Sequence, residues 1–369
     1  MRIAFDPQTF SLQDYGGVSR YFVETAVQLA KLPDTDVSIL AFAHFNAYLA
    51  AAPHALVVGR AVPVPPSLLR RPLVRANQLL ARAWLARHGA DIVHETYYAA
   101  SRTAPPGPAT VVTVFDMIHE KFPDYAPRTK RIADMKRAAI RRADHLLCIS
   151  ENTRRDLVDI YDIDPSRTSV IRLGFSLQSR GADEAPRSVA DPYILYVGKR
   201  SGYKDFDTLL RAYAGAPALA RGFLLVCFGD SPLSASELGL MRQLGIARHR
   251  VAHVTGDDNR LAGYYRHAAL FVYPSRYEGF GMPPLEAMSF DCPVVCSNAA
   301  SLPEVVGDAA LTFEAGDPEA LRAAMQSVLD APEVAVQLRL KGRQRITEFS
   351  WDACARQTRA IYASVLQRR

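Results

Sequence analysis

Short, wholly apolar runs alternate along this chain with longer segments in which apolar residues return every three or four positions. The first kind reads as strands buried on both faces, the second as helices packed by one face. Strand-like runs are IVH at 92–94, TVVTVF at 110–115, HLLCIS at 145–150 and SVIRLG at 169–174. PYILYVG at 192–198, FLLVCFG at 223–229, VAHVTG at 251–256, ALFVYPS at 269–275 and PVVCS at 293–297 continue the series. The opening MRIAFD reads as one more short strand. Strands separated by helices predict parallel sheets built from βαβ units, here two doubly wound α/β domains. The polar stretch 176–192 reads as a linker, which places the domains at 1–178 and 179–352. From Trp351 to Arg369 the pattern is helical, with Ala355, Thr358, Ile361, Tyr362 and Val365 on one side. Spacing alone does not assign that helix to a domain; residues 353–369 are expected to pack back on the first.

Composition narrows the class. The chain has 369 residues, 49% hydrophobic and 22% charged, as in a soluble globular protein. No apolar run is long enough to span a bilayer, and the N-terminus lacks the apolar core of a signal peptide. Five cysteines in mostly apolar settings predict reduced thiols in a cytosolic protein. Cys292 and Cys296 flank a strand and not a metal knuckle. The net charge of +6 lies in the first half, where 23 Lys and Arg face 17 Asp and Glu. Much of it falls in Pro127–Asp144, where Ile132, Met135, Ala139 and Ile140 recur at helical spacing under a basic face. A second basic amphipathic segment is Arg70–Gly89. Such helices can lie on anionic membranes or be plain solvated surface. No nucleic-acid motif accompanies the charge.

The chemistry concentrates in PSRYEGFGMPPLEA, Pro274 to Ala287. Glu278 and Glu286 flank a Gly279-Phe280-Gly281 turn, whose backbone can approach a ligand closely. Pro283 or Pro284 suits a first helical turn, and a helix mouth beside glycines is a phosphate site. The carboxylates, being acceptors only, suit sugar and ribose hydroxyls. Ligands of open parallel sheets bind at the carboxyl ends of strands. Asp116, Gly229-Asp230, Gly256 and Ser275–Gly281 all follow predicted strands. Gly198-Lys199-Arg200, with Lys204 close behind, could grip a diphosphate there. Gly16-Gly17 opens a helix carrying Val18, Tyr21, Phe22, Thr25 and Leu29, without the dinucleotide fingerprint.

These residues together resemble a known family. Ser275–Ala310, with its Glu278–Glu286 pair, and the stretches YVGKRSGYKDFDTLLRAY, SENTRRDL and GGVSRY are similar to the retaining nucleotide-sugar glycosyltransferases of family 4, with the GT-B fold. The resemblance extends over nearly the whole chain. It implies an acceptor-binding first domain and a donor-binding second domain across a central cleft. Glu278 would contact the donor sugar and Glu286 the ribose. The backbone of Gly279, Phe280 and Gly281 would approach the sugar, and Met282 and Pro283 the diphosphate. Lys204, with Lys199 or Arg200, would neutralise the leaving diphosphate, so no metal or other cofactor is expected. Gly17 would lie across the cleft from the phosphates. Loops around Val254, Thr255 and Leu261 would form the base pocket.

The chain departs from the family pattern at two places. Phe115-Asp116 stands where His-Asp is usual, so the resemblance keeps Asp116 as a catalytic residue, while Phe115 leaves no catalytic His at this point. His119 and Tyr97 are then acceptor-side candidates. Asp291 stands for a usual Gly, and Asp tolerates the left-handed conformation that such a turn needs. The implied reaction is hexosyl transfer to a hydroxyl of a lipid-linked or polysaccharide acceptor, with the departing phosphate helping to take the proton. Similarity of GGVSRYF and FDMIHEKFP to bacterial mannosyltransferases favours GDP-mannose, with UDP-hexoses and dTDP-rhamnose as alternatives. A nucleotide-sugar epimerase and a degenerate sugar-nucleotide binder are the other readings. The implied setting is the cytoplasm, peripheral on the inner membrane face.

Overall fold

A computed structural model describes residues 1–124, 129–175, 189–229 and 231–369. Most of the expected linker, together with Pro127, Arg128 and Asp230, lies outside the described residues. The chain divides into two compact units: Met1–Gly174 with Phe349–Arg369, and Phe175–Glu348. The return to the first unit falls at Phe349, slightly ahead of the boundary read from the sequence.

Each unit is built on one parallel sheet. The first contains β1 (Arg2–Phe5), β2 (Asp36–His44), β3 (Val57–Ala61), β4 (Ile92–Glu95), β5 (Ala109–Val114), β6 (His145–Cys148) and β7 (Thr168–Val170). Their spatial order is β3-β2-β1-β4-β5-β6-β7. The second contains β8 (Tyr193–Val197), β9 (Leu224–Phe228), β10 (Val251–Val254), β11 (Leu270–Tyr273), β12 (Val294–Ser297) and β13 (Leu311–Phe313). Their order is β10-β9-β8-β11-β12-β13. Every pairing is parallel, as in β5 against β6, where Val111 lies opposite His145. Central strands are buried on both faces, which is why β5 and β11 read as unbroken apolar runs. The sequence reading misses β2, β3 and β13. β3 and β13 are sheet edges with exposed positions, so neither shows a continuous apolar signal. β2 mixes half-buried and buried positions along nine residues.

Strand order reverses at β1/β4 in the first unit and at β8/β11 in the second, the points where such sheets open crevices. In the first unit that point is filled from within. Asp6, fully buried, accepts from Thr96 N at 2.8 Å, Gln8 Nε2 at 2.5 Å and Thr103 Oγ1 at 3.0 Å. The helix Gly17–Leu29 buries Tyr21, Phe22, Thr25 and Leu29. Against it packs Trp351–Gln367, burying Ala355, Thr358, Tyr362 and Val365, with Ile361 half-buried. Tyr362 Oη lies 2.5 Å from Nδ1 of His94, whose Nε2 is 2.8 Å from Thr113 Oγ1. Burial pushes His94 down to about 3, so this ring is a neutral bridge. All five cysteines are buried free thiols. No helix among the described residues is long and apolar enough to cross a membrane.

Candidate functional site

The second unit's switch point assembles the residues singled out in the sequence. β8 is followed at once by Gly198, whose φ of 120° excludes most side chains. After it, Gly202–Lys204 forms a short 3₁₀ turn closed by Asp205 in the left-handed region, φ 53°. Asp205 accepts from Thr208 Oγ1 at 2.8 Å and from Arg276 Nε at 2.8 Å. Arg276 N also donates to Tyr203 O at 2.7 Å, so the turn is stitched to the loop after β11. That stitching aims Lys204: its Nζ donates to Glu278 Oε1 at 2.7 Å and to Tyr273 Oη at 2.9 Å. Side-chain exposure is 14% for Lys204 and 10% for Glu278, so the pair sits largely out of water. Burial opposes the ammonium, but Glu278 outweighs it and holds the Lys204 pKa above the ordinary lysine value. Of the three ammonium N–H groups, two are engaged among the described residues, and the third has no partner among them.

The turn after Glu278 is held from behind. Ser301 Oγ lies 2.9 Å from the Glu278 carbonyl oxygen and 2.7 Å from that of Phe280. Gly281 has φ 107°, and a Cβ there would meet Leu302 Cδ2 at 2.6 Å. The helix Met282–Ser289 starts at once, with Pro283 and Pro284 in its first turn. Two of the four leading N–H groups are therefore replaced by ring nitrogens, so only Gly281 and Met282 retain N–H groups at this helix mouth. Glu286, half-buried, accepts from Tyr265 Oη at 3.0 Å. Burial, reinforced by Glu286 at Tyr265 and by Glu278 at Tyr273, pushes both phenols well above their usual range, so they remain donors.

Arg200 must be reread. Its side chain is buried and turned to Glu237, with Nε donating to Oε1 at 2.7 Å and Nη2 to Ser231 O at 2.6 Å. Glu237 closes the capping box of the helix Ala235–Gln243. A guanidinium so committed anchors that helix and does not reach out to a diphosphate. Lys199 is exposed. Thr255 is exposed just beyond β10, and Leu261 is half-buried on Asp258–His267, the helix that carries Tyr265. Asp291 has φ 56° and accepts from Arg343 Nε at 2.6 Å, the structural turn that its sequence position suggests.

The remaining residues lie in the first unit. Gly17 is exposed at the start of its helix, with nothing within 4 Å of where a Cβ would stand. The Phe115 ring packs edge-on to Tyr21 and Phe22, at 5.5 and 5.9 Å between centroids. Asp116 Oδ1 accepts from Ile118 N at 3.0 Å, and Lys136 Nζ donates to the Asp116 carbonyl at 2.8 Å. Lys136, fully buried, also donates to Glu120 Oε2 at 2.8 Å. His119 is half-buried, with Nδ1 lacking a hydrogen-bond partner among the described residues. Burial and then Lys136 lower its pKa, so the ring is neutral. The Tyr97 ring lies tilted against Tyr98, 5.0 Å between centroids, and its pKa is pushed up to about 12 by burial and Asp116. The sequence reading missed Tyr273, Tyr265, Ser301 and Lys136. A tyrosine ending a buried strand is the one signal that could have found Tyr273.

The chain matches the model for glycosyl transferases group 1 over residues 182–345 and that for glycosyltransferase family 4 over 15–179. It is 31% identical to the O-antigen chain mannosyltransferase B of Escherichia coli, over 80% of this chain and 81% of that one. The fold is similar to sucrose-phosphate synthase of Thermosynechococcus elongatus, at TM-score 0.74 and 22% identity, covering 100% and 99% of the two chains. It is also similar to Anabaena HepE in complex with UDP-glucose, at TM-score 0.71 and 17% identity, covering 99% and 100%. With two parallel-sheet units of the GT-B kind and these matches, the chain belongs to the family 4 glycosyltransferases and is mannosyltransferase-like among them.

Proposed function

We propose that this glycosyltransferase moves a hexosyl group, mannose from GDP-mannose, to a hydroxyl of a lipid-linked or polysaccharide acceptor, with retention of anomeric configuration. The observation that carries the reading is the Lys204–Glu278 pair, 2.7 Å apart, which joins the turn after β8 to the loop that leads into Glu286 and its helix. A cation for the leaving phosphate and an acceptor for sugar hydroxyls are thus held side by side. In the proposed reaction the bond from the anomeric carbon to the phosphate oxygen breaks. The acceptor oxygen bonds to that carbon on the same face, and its proton passes to the departing phosphate. Charge grows on the diphosphate as the bond breaks, and a preorganised ammonium stabilises it without reorganisation cost. Lys204, Lys199 and the N–H groups of Gly281 and Met282 supply that stabilisation, so turnover should persist in a metal chelator. Glu286, braced by Tyr265, takes the ribose hydroxyls. The first unit, with Asp116, His119 and Tyr97, takes the acceptor.

The mannosyl preference rests on the Escherichia coli O-antigen mannosyltransferase among the relatives. The second reading, a UDP-hexose donor, is favoured by the likeness to a protein solved with UDP-glucose. A thermal-shift panel of GDP, UDP, dTDP, ADP and their sugar conjugates decides between them. Stabilisation by GDP and GDP-mannose that Glu286→Ala abolishes is the expected result. Stabilisation by a uridine nucleotide alone would replace the donor, and no response to any nucleotide would overturn the transfer reading.

A further inference from the structure

The helix Ser67–His88 buries one face and leaves an apolar stripe on the other. Asn77, Ala81 and Leu85 point inward. Asn77 exchanges hydrogen bonds with the Ala43 backbone, its Oδ1 accepting at 3.0 Å and its Nδ2 donating at 2.8 Å, which fixes the helix against β2. Ala81 and Leu85 join the core cluster around Leu40 and Val93. On the opposite side Leu68 is 84% and Leu79 69% exposed, and Leu69 and Leu80 stand beside them, both exposed. Leu79 lies three turns on from Leu68 and so on nearly the same line of the helix. Four of the ten exposed large hydrophobic residues among the described residues thus share one surface. Arg71, Arg75 and Arg82 run along its flank, exposed, with no ion pair among the described residues. From Val37 to Ala90 the chain contains six arginines and no aspartate or glutamate.

We infer that this face docks on an anionic lipid surface, with the leucines entering the headgroup boundary and the arginines meeting the phosphates. An apolar stripe flanked by arginine is what the interface between water and acyl chains selects. Charge argues against a second copy of the chain as the occupant. A symmetric pair would set these arginines against their own counterparts, with no carboxylate on the helix or anywhere from Val37 to Ala90 to neutralise them. The other basic helix, Thr129–Arg142, does not have this character. It has no exposed large apolar side chain, Lys136 is buried on Glu120, and Arg142 is paired with Glu95. Of the two basic helices, the surface role thus belongs to the earlier one and not to Thr129–Arg142, whose exposed cations are Lys130, Arg131, Arg137 and Arg141. The inference is independent of the donor chemistry proposed above.

Flotation of the full chain with vesicles of equimolar phosphatidylglycerol and phosphatidylcholine tests it. The chain should float with these vesicles and not with phosphatidylcholine alone. Leu68→Glu with Leu79→Glu should lower the partition about tenfold or more. Replacing Arg71, Arg75 and Arg82 by Gln should lower it roughly a hundredfold, about fivefold for each arginine. Replacing Lys130, Arg137 and Arg141 by Gln should leave it unchanged. The first two variants alter exposed side chains, so their melting temperature and nucleotide response should match the parent, which separates lost docking from lost fold or lost donor binding. Unchanged flotation of the leucine variant, or equal binding to uncharged vesicles, would overturn the inference. So would a dimer in solution that the leucine variant converts to monomer, since the stripe would then belong to a second copy.

Discussion

Lys204→Ala separates the site's chemistry from its packing. Lys204 and Glu278 show side-chain exposures of only 14% and 10%, so removing the ammonium strands a mostly buried carboxylate. Breaking a fully buried pair costs about 3–5 kcal/mol. Residual exposure and the Tyr273 hydroxyl, which stays beside Glu278, bring this to roughly 2–3 kcal/mol. For a unit of this size each kcal/mol moves the melting point by about 2–4 °C, so Lys204→Ala should melt about 5–10 °C lower. Turnover should fall about 10²-fold or more, since the lost cation faced the growing diphosphate charge. Release of nucleoside diphosphate from a saturating donor reports the rate, and thermal melts report the fold. Lys204→Ala with Glu278→Gln should recover most of the stability, because no buried charge is left unpaired, yet stay inactive. The sign with pH follows from the raised Lys204 pKa. The pair's contribution is fully present below the ordinary lysine value of 10.5 and is lost only as pH rises through the folded value above it. The stability gap between parent and Lys204→Ala should therefore stay constant between about pH 6 and 9. A variant with near-normal turnover would remove Lys204 from the mechanism and leave it as a loop brace.

Arg200→Ala should destabilise by about 3 kcal/mol, because Glu237 is left buried without its partner, while nucleotide affinity measured by calorimetry stays near that of the parent. A large loss of affinity with an unchanged melting point would return Arg200 to the diphosphate. His145, whose Nε2 lies 2.8 Å from Ser169 Oγ, is pushed down to about 4 by burial and then by Arg368 and Arg167. Its folded pKa lies below the unfolded value of 6.5, so its stability contribution is present above that value and declines as pH falls towards about 4. His145→Gln should flatten that part of the melting-temperature profile, and an unchanged slope would mean that His145 titrates normally.

Much of the fold is legible in the residues because burial on two faces leaves a local mark. The runs TVVTVF and ALFVYPS announce β5 and β11, whereas β3 and β13 escape because an edge strand buries little. The loop chemistry is legible for a similar reason. Gly281 needs a positive φ and an empty Cβ position, and two prolines mark the first helical turn beside it, all within a few residues of Glu278 and Glu286.

What chain order could not decide was the partner of each charge. Lys199, Arg200 and Lys204 look interchangeable in sequence, yet one is exposed, one is clamped to Glu237 and one meets Glu278, 74 positions on. Lys136 reads as part of a basic surface and is instead buried on Glu120. Helical spacing assigns a side chain to a face of its own helix, but a long basic side chain is buried or solvated according to whether a distant segment supplies a carboxylate or carbonyl to receive it. By itself the sequence therefore determined most of the doubly buried strands, the glycine turn and the paired glutamates, whose causes are local. Which cations are spent on structure, which one meets Glu278 at the glycine turn, and which basic helix shows its leucines to solvent were decided only when the sheets brought remote segments together.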